Sequence, residues 1–71
     1  MSRPRKHSLT LRGHRTSVSL EDEFWTAFRE IAAAEDRALN DLAAEIDAAR
    51  GTDTGLASAI RLYVLRRLRQ R

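Results

Sequence analysis

Residues 14–25, HRTSVSLEDEFW, change their hydrophobic period halfway. Up to Leu20 the apolar side chains alternate, with Val18 and Leu20 on one side and Ser17 and Ser19 on the other. From Glu21 they recur at helical spacing through Phe24, Phe28, Ile31 and Ala32. The pattern predicts a short strand that feeds straight into a helix over about 21–35. Trp25 borders the helical stripe, and Glu21, Asp22 and Glu23 fall in the first turn, where the helix dipole favours acids. A lone strand leaves half its backbone groups unpartnered, so a second strand has to come from somewhere.

Upstream, SLTLR also alternates, but Leu9 and Leu11 are odd-numbered whereas Val18 and Leu20 are even. One flat strand would put the two sets on opposite faces. A bulge or turn is therefore expected between them, with Gly13 as its natural place. Residues 7–12 read equally as a hairpin arm or as an extension of the ribbon.

Downstream, AEDRALN breaks the first helix, with Asp36 just past its end where glycine or asparagine is usual. Leu39, Leu42, Ala43 and Ile46 share one side of a second helix, about 39–49, which Gly51 ends. A third starts near Thr54 or Gly55 and runs to about Leu68. Its apolar positions, Leu56, Ala59, Ile60, Tyr63, Val64, Leu65 and Leu68, wrap more than one face. So much apolar surface on so small a chain predicts packing against a second subunit. Residues 1–6, polar, basic and containing Pro4, read as a disordered arm, 7–68 as the domain and 69–71 as a basic tail.

Length changes this picture in one way: 71 residues without cysteine make a marginal core that neither disulfides nor thiolate metal sites can staple. Charge changes it more. Residues 1–15 carry five cations and no acid, and residues 56–71 carry five arginines and no acid. The middle holds three arginines against ten acids. Basic ends around an acidic body suggest a polyanion partner, or else solvated tails. The basic start lacks an apolar stretch of signal-peptide length, and the longest apolar runs, IAAA and LYVL, are too short to cross a bilayer. A soluble, cytoplasmic chain with no membrane partner is expected.

Candidate chemistry is sparse. His7 and His14 lack the acids and cysteines that would complete a metal site, so no metal and no cofactor are expected. No serine has a histidine–acid companion and LRGHR is not a phosphate loop, so no enzyme is expected. Trp25, Phe24 and Phe28 lie on a helix stripe and read as core rather than as a stacking platform for bases.

The stretch RTSVSLEDEFWTAFREIAAAEDRALNDLAAEI, residues 15–46, resembles the core of the ribbon-helix-helix superfamily (Arc/MetJ-like). With KHSLTLRGHR before it and LASAIRLYVLRRL after it, the chain is similar to a small bacterial family carrying an extra C-terminal helix. The resemblance implies a mainly α fold with one short N-terminal strand, β-α-α plus a third helix. It implies a homodimer, or a dimer of dimers on DNA, whose strands pair antiparallel between subunits. Val18, Leu20, Phe24, Trp25, Phe28, Ile31, Leu42, Ile46, Ile60, Tyr63 and Val64 would form the dimer core. The strand's outward residues, Arg15, Ser17 and Ser19, would contact bases in the major groove of double-stranded DNA. Arg3, Arg5, Lys6 and Arg12, with the backbone amides at Leu39 and Asn40, would hold phosphates. The implied function is that of a transcriptional repressor or regulator. An antitoxin-like or adaptor module, gripping a protein partner through the third helix and basic tail, is the competing class. The sequence departs from the family where Asp36 stands for glycine and Ala38 for a capping serine, and Asp41 would repel a phosphate bound nearby.

Overall fold

The computed structural model describes residues 3–70. Its elements are β1 (Arg5–Leu11), β2 (His14–Leu20), α1 (Asp22–Ala34), α2 (Leu39–Ala49) and α3 (Leu56–Arg69). The helices fall within two residues of the periods that predict them, and α2 coincides with its prediction at both ends.

The single-strand expectation is corrected, because residues 5–11 form a second strand. β1 and β2 pair antiparallel as a hairpin, with Arg5 opposite Leu20 and Leu11 opposite His14. Within the chain, the strand that pairs with β2 is β1. The two central turn residues, Arg12 (φ 52°) and Gly13 (φ 83°), both have positive φ. That is the turn whose twist matches the twist of paired strands. Paired residues in this register always sum to an odd number, so odd-numbered Leu9 and Leu11 share a face with even-numbered Val18 and Leu20. The basic arm is shortened by the same pairing: Arg5 and Lys6 belong to β1. Met1 and Ser2 of that arm, and Arg71 of the tail, lie outside the described residues.

The core closes inside one chain. Leu9, Leu11, Val18 and Leu20 of the hairpin are buried with Phe28, Ile31 and Ala32 of α1, Leu42, Ala43 and Ile46 of α2, and Ile60 and Val64 of α3. Of the expected dimer core, Phe24, Trp25 and Tyr63 are only half-buried, packed on its rim. His7, on the helix-facing side of β1, stacks on the Trp25 ring with 4.1 Å between centroids.

A single tight turn joins α1 to α2. After α1, the amide of Asp36 bonds the carbonyl of Ala33 and that of Arg37 bonds Ala32, with Asp36 left-handed at φ 55°. This is the glycine-type helix stop, built here with aspartate. Ala38 is the N-cap of α2 and offers no side-chain cap. At the same end of α1, the Glu35 carboxylate pairs with Arg67 at 2.6 Å and accepts the Tyr63 hydroxyl at 3.3 Å, tying α3 down. Burial, with the Glu35 charge beside it, pushes the Tyr63 phenol above its ordinary range.

Candidate nucleic-acid interface

The hairpin has a second face, turned away from the helices. Three cross-strand pairs make it up: Lys6 with Ser19, Ser8 with Ser17 and Thr10 with Arg15. All six residues are exposed. Opposed residues of an antiparallel pair point to the same side, so hydroxyls fill the middle while a cation stands at each end, on opposite strands. None of the six is acidic. Arg15 can grip guanine O6 and N7 with two hydrogen bonds, and a serine or threonine hydroxyl can donate or accept at any base edge.

Backbone geometry fixes the edges of this face. A two-residue turn makes Leu11 and His14 a hydrogen-bonded pair, so the three outer-face pairs turn their amides and carbonyls away from the ladder. On the β1 edge, the Thr10 amide donates to Asn40 Oδ1 at 3.1 Å, from the first turn of α2. On the β2 edge, the Ser19 carbonyl accepts from Arg61 Nη2 of α3 at 3.4 Å. The Arg61 guanidinium also grips Glu21 through two bonds of 2.9 and 3.2 Å and lies 5.9 Å from the Phe24 ring centre. Its hydrogen bonds hold the Glu21 carboxyl below the usual glutamate range.

The expected phosphate contacts divide. Lys6 sits on the outer face and Arg12 at the exposed tip, with Arg3 exposed before β1. Arg5 does not join them: it shares its face with Leu9 and Leu11, and its side chain reaches Asp22 at 3.6 Å. The first turn of α2 meets the hairpin edge through Asn40, which brings the Leu39 and Asn40 amides beside β1. Ser8 and Thr10 were not among the expected base-contact residues, although the parity change at Gly13 carried the signal that places them with Arg15, Ser17 and Ser19.

The two histidines take no common site. His7 is committed to Trp25, and among the described residues no cluster of three or more metal-ligating side chains occurs. No helix of the described residues is long and apolar enough to cross a membrane. At the far end, α3 exposes Leu62, Leu65 and Leu68, each more than 40% accessible (43%, 48% and 45%).

No curated protein and no solved structure matches this chain. A family model, the ribbon-helix-helix domain, matches residues 4–68 and so takes in both strands and nearly all of α3. The chain belongs to the ribbon-helix-helix family.

Proposed function

We propose that this protein is a sequence-specific DNA-binding regulator of transcription, acting as a homodimer, that sets a two-stranded β-ribbon into the major groove. Ribbon-helix-helix domains are in general DNA-binding transcription regulators or antitoxins, and typically dimerise. The observation that carries the reading is the chemistry of the outer hairpin face: six exposed residues, two cationic, four hydroxylic and none acidic. Arg15, Ser17 and Ser19 contact base edges. Arg3, Lys6 and Arg12, with the amides opening α2, contact phosphates and fix the register of the ribbon on the duplex. The second copy covers Leu62, Leu65 and Leu68, large apolar side chains that one chain leaves exposed.

Selecting preferred sites from random duplex DNA and then measuring affinity for selected and random duplexes tests this reading. Wild-type protein should bind the selected site tighter by several orders of magnitude, and Arg15→Ala should erode that preference. Equal affinity for both duplexes would overturn it.

One feature favours a second reading. The leucine stripe of α3 is flanked by the exposed Arg66 and Arg69, which suits an apolar, acid-flanked protein partner as an antitoxin or adaptor would require. Capture of such a partner by a chain without sequence preference on DNA would favour it.

A further inference from the structure

We infer that β1 is a wall strand: Lys6, Ser8 and Thr10 lie over the rim of the major groove and bind backbone phosphates, leaving base edges to β2. The inference rests on the DNA-binding reading above, in which one β2 from each copy makes the ribbon. It deepens that reading by giving β1 a ligand of its own.

Three observations carry it. The first is the state of the β2 edge. The register turns the amides and carbonyls of Arg15, Ser17 and Ser19 away from β1, toward the open side of β2. An antiparallel second copy centred on Ser17 pairs all of these groups, with Arg15 of one copy opposite Ser19 of the other. Arg61 does not prevent it: the 3.4 Å contact takes one lone pair of the Ser19 carbonyl, which has two.

The second is the order of side chains that such pairing creates. Carried across the two-fold axis, the β1–β2 register gives rows that run Lys6, Ser19, then Arg15 and Thr10 of the other copy. The middle row is Ser8 and Ser17 from both copies. With strands about 4.8 Å apart, the two β2 backbones span about 5 Å and the two β1 backbones about 14 Å. The major groove is about 12 Å wide. The inner pair fits between the walls, whereas each β1 falls on a wall, where the exposed groups are phosphates. Its outer side chains suit that place: a lysine and two short hydroxyls, all exposed, with no acid among them.

The third is what borders β1 on its far side. The Thr10 amide bonds Asn40 Oδ1 at 3.1 Å, which holds the first turn of α2 against the β1 edge. Outward from the axis the order is therefore β2, β1 and the start of α2. The amides that open α2 are a phosphate anchor in the reading above. β1 lies between the reading strand and that anchor, so its outer face meets the same sugar–phosphate chain. The anchor is weak by itself, because Ala38 adds no side-chain donor and Asp41 places a carboxylate in that turn. Lys6, Ser8 and Thr10 supply the neighbouring contacts.

The test uses the full chain with a selected and a random duplex, each titrated at several salt concentrations. Thermal melts establish that each variant is folded. Ser8→Ala/Thr10→Val should weaken binding to both duplexes equally, by about three- to tenfold per hydroxyl contact removed. Sequence preference should match wild type, and the salt dependence should keep its slope, because a hydroxyl displaces no counterion. Lys6→Ala should also weaken both duplexes, but should lower that slope by about one per lysine removed. Methylphosphonates at the phosphates bordering the selected site should weaken wild type more than the double variant. Preference relaxed at particular base pairs in the double variant would make β1 a reading strand and overturn the inference. Wild-type affinity of the folded double variant on both duplexes would take β1 off the DNA and overturn it too. Both results leave DNA recognition standing; that reading falls separately, if wild type binds the selected and random duplexes equally.

Discussion

On the face of the hairpin that meets the helices, Leu9, Leu11, Val18 and Leu20 are at most 9% exposed, whereas Lys6, Ser8, Thr10, Arg15, Ser17 and Ser19 on the opposite face are all exposed. The two faces share one backbone and one register, and they alternate residue by residue. Apolar burial on the first face fixes which way every side chain on the second must point, because slipping either strand by one residue would exchange them. The first face therefore positions the second without touching a ligand. Substitutions should separate accordingly, into losses of folding and losses of recognition.

The largest effect is expected on the buried face. Leu20 is fully buried, and Leu20→Ala should cost about 2–5 kcal/mol of stability. For a domain this small, that is a large part of the total. Urea titration of variant and wild type would measure it. A loss below about 1 kcal/mol would mean that the hairpin does not share the core of the helices.

Next comes Arg15→Ala on the open face, which should leave stability within about 0.5 kcal/mol. Its binding loss should be about 1–3 kcal/mol on a selected duplex, with preference relaxed at one base pair per half-site. Ser17→Ala and Ser19→Ala should act in the same direction but more weakly. Lys6→Ala and Arg3→Ala should instead weaken binding to all duplexes alike and flatten its salt dependence, as phosphate-neutralising charges do. Titrations at several salt concentrations separate the two behaviours, and uniform losses at every position would remove the distinction between reading and anchoring.

The two faces also differ in how far they can be read from the sequence. The core face follows from period alone, since alternation in 14–20 and 3.6-residue spacing in 22–34 and 39–49 name nearly every buried side chain. The odd-to-even change between Leu11 and Val18 places a break at Gly13, and the turn is there. The origin of the second strand does not follow. An Asn-Gly pair would signal a two-residue hairpin turn, but the tip is Arg12–Gly13. Charge and Pro4 mark 1–6 as an arm, although pairing against β2 recruits Arg5 and Lys6. Arg61 was equally hidden, because its partners Ser19 and Glu21 lie some 40 residues away in the chain. Long-range polar contacts leave no periodic trace.

A smaller effect is expected where the helices receive the hairpin. Ala38 caps α2 without a side chain to bond its free amides. Ala38→Ser should therefore raise stability by about 0.5–2 kcal/mol. Asp36→Gly, at φ 55°, should add up to about 1 kcal/mol by relieving a left-handed non-glycine residue. Thermal melts would register both gains. Because neither residue lies on the open face, sequence preference on DNA should be unchanged.

The smallest effect is electrostatic and joins the two faces. Arg61 hydrogen-bonds Glu21, just past the end of β2, and holds its carboxyl below the usual glutamate range. Glu45 is lowered in the same way by Arg37. A carboxyl lowered by folding binds fewer protons in the native state than in the unfolded one. Its contribution is therefore complete above the unfolded glutamate range and is lost as pH falls through the lowered native value. Both pairs are solvent-accessible, so each contributes little. Stability should accordingly decline modestly on acidification below the ordinary glutamate range. Glu21→Gln should make that decline shallower without abolishing it, since Glu45 still titrates. Guanidinium titrations across the acid range would measure the slope. Because Arg61 also holds the Ser19 carbonyl, the same variant tests whether the ribbon edge depends on Glu21. If Arg61 keeps that carbonyl without its carboxylate partner, hydrogen exchange along β2 will match wild type. Faster exchange confined to the residues nearest Ser19 would show that the Glu21–Arg61 pair positions the end of β2.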